Sequence, residues 1–248
     1  MKQGFIIPVY RHGRTACPLA ERLAGAGPVI LVDDGNDEET KALLEKCASG
    51  MPDIFLVRLE KNSGKGAALS KGFEKAKELG ITHALQIDAD GQHDAGRVRF
   101  FLEQSAAHPD MIICGYPEFE KTAPKSRVNG RKISNFWGAV VTLSTELKDV
   151  LCGFRVYPVD ASLRITKNPF LDKRMGIDAE ILVRLYWKKV YPLFYPIKVN
   201  YPLDGISNFR MIRDNLRISF MFTRLCIGML FRFPLLIIRK IKRGKKHD

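Results

Sequence analysis

Residues 82–93 read THALQIDADGQH, an apolar run of strand length that stops abruptly at two carboxylates, Asp88 and Asp90, flanking Ala89. The run predicts a strand over 82–90, and its near-continuous apolar character predicts burial on both faces, as in parallel sheets. Four more runs of this kind occupy 5–10, 28–34, 53–60 and 111–116. Helical patterns fall between them, near 15–24, 37–47, 65–79 and 95–107. Strand and helix in alternation predict an α/β fold, a mostly parallel central sheet flanked by helices. Ligands in such sheets sit beyond the carboxyl ends of the strands. Tyr10 closes the first run, Asp33-Asp34-Gly35 the second and Asp88-Ala89-Asp90 the fourth, so three polar strand ends share one edge.

The second half is less regular. The pattern predicts a helix over 125–147 that opens with Lys125, Arg127, Arg131 and Lys132, then a strand over 150–158. A helix over 176–189 and a strand over 194–202 follow. With no internal repeat and no linker, the simplest division is one domain, 1–208, and a tail, 209–248.

Charge sharpens that division. The chain of 248 residues carries +13 overall, and the tail holds eleven Lys/Arg against Asp214 and Asp248, a net of +9. Basic tails meet nucleic acid or anionic lipid. Here Arg210, Arg213, Arg217 and Arg224 alternate with Met211, Leu216, Phe220 and Phe222, which favours an anionic membrane surface and no nucleic acid. The apolar stretch 225–238 is interrupted by Arg232 and Pro234 and falls short of the ~20 residues a spanning helix needs. Removing the tail is therefore expected to weaken membrane association and to spare any site at the strand ends. Five cysteines without CxxC or CxxH spacing argue against a disulfide framework or a zinc site. The short apolar run after the first residues does not make a signal peptide, so a reducing, cytoplasmic setting is expected, peripheral to the inner face of the membrane.

The polar strand ends carry the chemistry. Asp88 and Asp90 repel each other unless a cation neutralises them, and hard oxygen ligands suit Mg²⁺ or Mn²⁺, which bridge diphosphate oxygens. Gln92 follows at once as a candidate third ligand, with His93 beside it. Asp33 and Asp34 can accept hydrogen bonds from a base or a ribose, although one of them can equally serve the next helix as a cap. Asn62-Ser63-Gly64-Lys65-Gly66 resembles a phosphate loop, but Leu59 replaces the first glycine of a Walker motif and Gly66 replaces its Ser/Thr. Glycines and Lys65 at a helix start still suit an anion or a close backbone approach. Asp178 and Glu180 open a helical pattern, either as a cap or with Asp178 as general base.

In order along the chain, Pro8-Val9-Tyr10, Val32-Asp33-Asp34-Gly35, Asn62 to Ala68, Asp88 to His93 and Cys152-Gly153-Phe154-Arg155 resemble the family 2 inverting glycosyltransferases of GT-A fold, in the dolichyl-phosphate mannosyltransferase-like branch. The resemblance implies a Rossmann-like GT-A sheet and a nucleotide-sugar donor, UDP- or GDP-linked. Pro8, Tyr10 and Asp34 would line base and ribose, and Asp88, Asp90 and Gln92 would hold the metal. Arg155 would lie near the sugar or the acceptor phosphate. The branch's Arg-x-x-Gly-x-Ser segment is matched by Gly205-Ile206-Ser207, but Pro202 stands in place of its arginine. Asp178 matches the catalytic aspartate of members that glycosylate hydroxyls. The acceptor is thus left open between a polyprenyl phosphate and a lipid or polyketide hydroxyl, serving cell-envelope glycoconjugates. Two other classes compete. One is a sugar-1-phosphate nucleotidyltransferase, faintly echoed in Arg11-His12-Gly13-Arg14; the other is a non-catalytic module that binds membrane through its tail.

Overall fold

The structure, a computed structural model, describes residues 1–118, 125–199 and 211–244. In chain order the elements are β1 Gln3–Val9, α1 Gly13–Ala24, β2 Val29–Asp33, α2 Glu38–Gly50, β3 Ile54–Arg58, α3 Lys65–Glu78 and β4 His83–Gln86. A turn of 3₁₀ helix leads into α4 Val98–Ala107, followed by β5 Ile112–Glu118, α5 Lys125–Thr142, β6 Arg155–Pro158, α6 Val159–Thr166 and α7 Ile177–Trp187. The last elements are β7 Pro192–Lys198, α8 Met211–Leu230 and α9 Phe233–Gly244.

One sheet of seven strands runs β3-β2-β1-β4-β6-β5-β7, parallel except for β6, which lies antiparallel to β4 and β5. Strand alternation divides the core in two. Phe5, Ile7 and Val9 pack on one face with Ala16, Ala20 and Phe101, while Ile6 turns to the other with Leu69 and Phe73. Fully buried strands of this kind need an apolar residue at every step, which is why the sequence shows runs rather than alternation. The order reverses at β1, with β2 and β3 to one side and β4 to the other, and a crevice opens at such a switch point. Pro8 is tolerated in central β1 because the β4 ladder ends at Ile6–Gln86, below it.

The expected strands and helices of the first half are present. The differences lie in the second. The 125–147 helix stops at Thr142, where Leu143 takes φ 53°. The 150–158 strand shrinks to Arg155–Pro158 because Asp149 Oδ1 captures the Leu151 and Cys152 amides, at 2.9 and 2.7 Å, that a ladder would need. Helix α6, short and β-branched at both ends, was not expected at all. The 202 and 205–207 positions and the 208/209 boundary lie outside the described residues.

The tail also departs from expectation. Helix α8 sends Met221, Phe222, Leu225 and Met229 into the same core as α7, and Trp187 donates through Nε1 to Val141 O at 2.9 Å beneath it. Arg224, expected on the lipid side, instead meets Glu180 at 3.2 Å, and Arg232 lies over the Trp187 ring at 4.7 Å. Removing α8 would therefore strip the core, which corrects the expectation that the rest survives without it. No single described helix is long and apolar enough to cross a membrane; α8 and α9 reach that length only together, across a 74° bend. Leu225→Ala should cost about 2–5 kcal/mol in urea unfolding, the range for a buried leucine. A loss below about 1 kcal/mol would mean that α8 only rests on the surface.

Candidate active site

The crevice beyond β1, β2 and β4 is framed by three turns, each held by side chains of the others. Asn36 ties the first two: it accepts from Arg11 N at 2.6 Å and donates to Val9 O at 2.9 Å, holding Arg11 at φ 64° beside Tyr10. Thr15, at the start of α1, donates to Ala89 O at 2.5 Å and so fastens the Asp88-Ala89-Asp90 turn to the same edge. Gly91, at φ 73°, lets the chain turn after Asp90, whose Oδ1 accepts the Gln92 amide at 3.0 Å.

The two carboxylates of the Asp33-Asp34 turn are both spent on this framing. Asp33 is fully buried, taking Asn36 N and Nδ2 on one oxygen at 3.0 and 2.7 Å and Arg58 Nε on the other at 2.9 Å. Asp33, expected in the cofactor site, is thus engaged within its own turn and by Arg58. Asp34 accepts from Ser63 N, Gly64 N and Asn62 Nδ2 at 2.7–3.2 Å. Burial pushes its carboxyl up, against the pull of the Ser63 and Gly64 amides. Neither carboxylate caps α2; Asp37 does, through Thr40 N at 2.9 Å.

Of the two uses left open for the 62–66 glycines, the structure favours close backbone approach over an anion. The amides of this loop already have acceptors: Asp34 takes those of Ser63 and Gly64, and Lys173 O takes those of Gly66 and Ala67 at 3.0 and 3.4 Å. No anion nest remains there. A Cβ on Gly64 or Gly66 would strike the 172–174 backbone, so the glycines serve that close approach.

At the centre lies a buried charge cluster. Lys65 Nζ sits 2.7 Å from Asp88 Oδ1 and 2.7 Å from Asp178 Oδ2. Gln86 Nε2 donates to Asp178 Oδ1 at 2.9 Å, and His93 Nε2 stands 3.7 Å from Asp88 Oδ2. Burial works against the Lys65 ammonium, but the Asp178 and Asp88 carboxylates outweigh it and raise its pKa. Burial works against the Asp88 carboxylate as well, yet Lys65 and His93 hold it well below the usual range. Lys65, expected to meet a phosphate, is thus the counter-ion of two aspartates. Gly153 leaves the room for this: a Cβ there would lie 2.7, 2.8 and 2.9 Å from Asp88 Oδ2, Lys65 Nζ and Gln86 Nε2.

Arg155 lies beneath this cluster rather than in the crevice. It is fully buried, and its guanidinium donates to the Asp178 carbonyl at 2.5 Å, to Tyr157 Oη at 3.2 Å and to Asp149 O at 3.4 Å. It positions the first turn of α7, which corrects its expected contact with sugar or phosphate. Asp178 does not cap α7 either, since its carboxylate points to Lys65 and Gln86. Gln86 escaped the sequence reading, although a glutamine inside an otherwise apolar strand was a visible signal.

Among the described residues no three His, Cys, Asp or Glu side chains stand close enough together to enclose a metal ion. Two carboxylates can still hold Mg²⁺ where substrate phosphates and water complete the shell, as this ion commonly requires. Asp88 and Asp90 fit that donor set, and Asp88 would have to be shared with Lys65.

Lys65→Met should leave Asp88 and Asp178 facing each other without a cation, at a cost of about 3–5 kcal/mol near pH 7. Asp88, with its depressed pKa, contributes stability above the ordinary carboxylate range and loses it as pH falls. Wild type should therefore hold this contribution down to about pH 4 and lose it progressively below, while the cost of the substitution shrinks as Asp88 in the variant takes up its proton. Urea titrations across that range check this, and an equal loss at every pH would dismiss the ion cluster.

Comparison with known proteins accords with this geometry. Residues 6–168 match Glycosyl transferase family 2. A dolichyl-phosphate beta-glucosyltransferase of Dictyostelium discoideum is 28% identical over 209 residues, 77% of this chain and 62% of its own length. The chain likewise spans 58% and 63% of the two relatives that follow it. A UDP-N-acetylglucosamine--dolichyl-phosphate N-acetylglucosaminyltransferase of Methanococcus voltae is 28% identical over 98% of this chain and 97% of its own. In fold, glucosyl-3-phosphoglycerate synthase from Mycobacterium tuberculosis superposes with a TM-score of 0.67 at 12% identity, covering 91% of this chain and 80% of that one. The family match spans both sides of the crevice, from β1 through α6, and the chain belongs to glycosyl transferase family 2.

Proposed function

We propose that this protein transfers a sugar, with inversion, from a UDP- or GDP-sugar to the phosphate of a membrane-held polyprenyl lipid, for cell-envelope glycoconjugates. The observation that carries the choice of acceptor is the pairing of Asp178. Both its oxygens are engaged, one by Lys65 at 2.7 Å and one by Gln86 at 2.9 Å, so it is poorly placed to take a proton from a hydroxyl. A lipid phosphate is already anionic and needs no base. Relatives named as dolichyl-phosphate and undecaprenyl-phosphate transferases support the same acceptor class. In the reaction a phosphate oxygen bonds to the anomeric carbon as the bond from that carbon to the nucleoside diphosphate breaks, and the diphosphate leaves with the electron pair.

The donor's base and ribose would lie against Pro8 and Tyr10 at the end of β1, with the diphosphate towards Asp88-Ala89-Asp90. Mg²⁺ or Mn²⁺ held by Asp90 and Asp88, with Gln92 alongside, would supply charge neutralisation for the departing diphosphate. Lys65 and Gln86 keep Asp178 fixed in place at the acceptor side. Helix α8 supports a place at the inner face of a membrane. At about 100° per residue, Ile212, Leu216, Phe220, Ile227 and Leu230 form one exposed apolar stripe bordered by Arg213 and Arg217.

A thermal-shift panel of UDP, GDP, CDP and ADP, each with Mn²⁺ and with chelator, tests the donor and the metal. One nucleotide should stabilise only with metal, and Asp90→Asn should remove that shift; a flat panel overturns the donor assignment. Offering polyprenyl phosphate beside the free polyprenol tests the acceptor. Transfer to the alcohol alone would reject the phosphate reading.

A further inference from the structure

Between α8 and the 171–174 loop runs an open groove of about 430 Å³, lined by Leu171, Asp172, Lys173, Arg174, Leu216, Arg217, Phe220 and Arg224. It contains none of the residues of the crevice. Four cations face one carboxylate along it, yet those charges are not equally available. Arg174 is bound to the Asn62 side chain and carbonyl, the latter at 3.1 Å. Arg224 is offset by Glu180 and also holds Phe170 O. The Asp172 carboxylate accepts the Arg174 amide at 2.6 Å. Lys173 and Arg217 have no ionic partner among the described residues, and they stand on opposite walls. The remaining three lining residues, Leu171, Leu216 and Phe220, are apolar. Leu216 and Phe220 remain 67% and 66% exposed, and the stripe continues to Ile212, at 79%.

We infer that this groove binds one anionic phospholipid of the bilayer, with its phosphate between Lys173 and Arg217 and its chains along Leu216, Phe220 and Ile212. The inference rests on the reading that α8 lies on a membrane. A headgroup phosphate joined to hydrocarbon meets both parts of the lining at once. A nucleic acid or an acidic peptide would leave the leucine and phenylalanine in water, and inorganic phosphate would leave them uncovered. The groove wall also reaches the catalytic side, since Lys173 O caps the amides of Gly66 and Ala67 next to Lys65. A lipid seated there would set the height of the crevice above the bilayer.

The test uses the full chain and dihexanoyl-phosphatidylglycerol below its micelle concentration, read as a thermal shift. Dihexanoyl-phosphatidylcholine and glycerol phosphate serve as the other arms. A saturable shift with the anionic lipid is expected, with little from glycerol phosphate. Both cations are assigned to the one phosphate, so Lys173→Gln with Arg217→Gln should raise the apparent Kd by roughly tenfold or more. These exchanges leave the Lys173 carbonyl in place. Lys240→Gln with Lys242→Gln, equal in charge and exposed on α9, should change little. Equal losses from both pairs would mean diffuse attraction, an equal shift from glycerol phosphate would mean a plain anion site, and no loss from the first pair would place the lipid elsewhere; each overturns the proposal. The nucleotide panel reads separately, so a flat nucleotide response with an intact lipid shift would reject the transferase reading and leave the groove standing.

Discussion

A single ammonium group holds the crevice together. Lys65 leaves the first turn of α3, reaches past Gly153 and lies 2.7 Å from carboxylates on two other segments, the β4 turn and α7. Buried charge is tolerable only when paired and hydrogen-bonded. Each neighbour here meets that demand: Gln86 completes Asp178, His93 approaches Asp88, and Arg155 grips the Asp178 carbonyl from below. The cluster thereby fixes three elements that are remote in sequence, and it does so at the switch point of the sheet.

That arrangement bears on the chemistry as well as on stability. An aspartate at the start of α7 would be a good base for a hydroxyl if it were free, and Lys65 takes that freedom away. The same lysine neutralises the first aspartate of the Asp88-Ala89-Asp90 turn, so part of the compensation that a metal would otherwise supply is built into the chain.

The tail illustrates how one helix can carry two apolar faces. Buried residues of α8, from Met221 to Met229, face the core, and the opposite stripe from Ile212 to Leu230 faces outward. Arg217 and Arg224 lie between the two faces, where the first has no ionic partner among the described residues and the second is drawn inward by Glu180. A helix apolar on two sides cannot be satisfied by its own domain alone.

The sequence by itself determined the architecture. Runs of buried strand alternating with helices can belong to little else than a parallel sheet, and polar residues that interrupt those runs must lie at its carboxyl edge, so the crevice and its aspartates were legible as well. Partner choice was not. Whether Asp33, Asp34, Lys65 and Arg155 meet a ligand or other residues of the chain depends on contacts across 23 to 113 residues of chain, which no local pattern encodes. The same holds for the turn at Asp149, where one carboxylate draws the amides out of a strand, and for α8, whose basic and apolar residues read as a surface until packing buried half of them. Local periodicity records which groups avoid water; only the tertiary structure decides which charged group each of them finds.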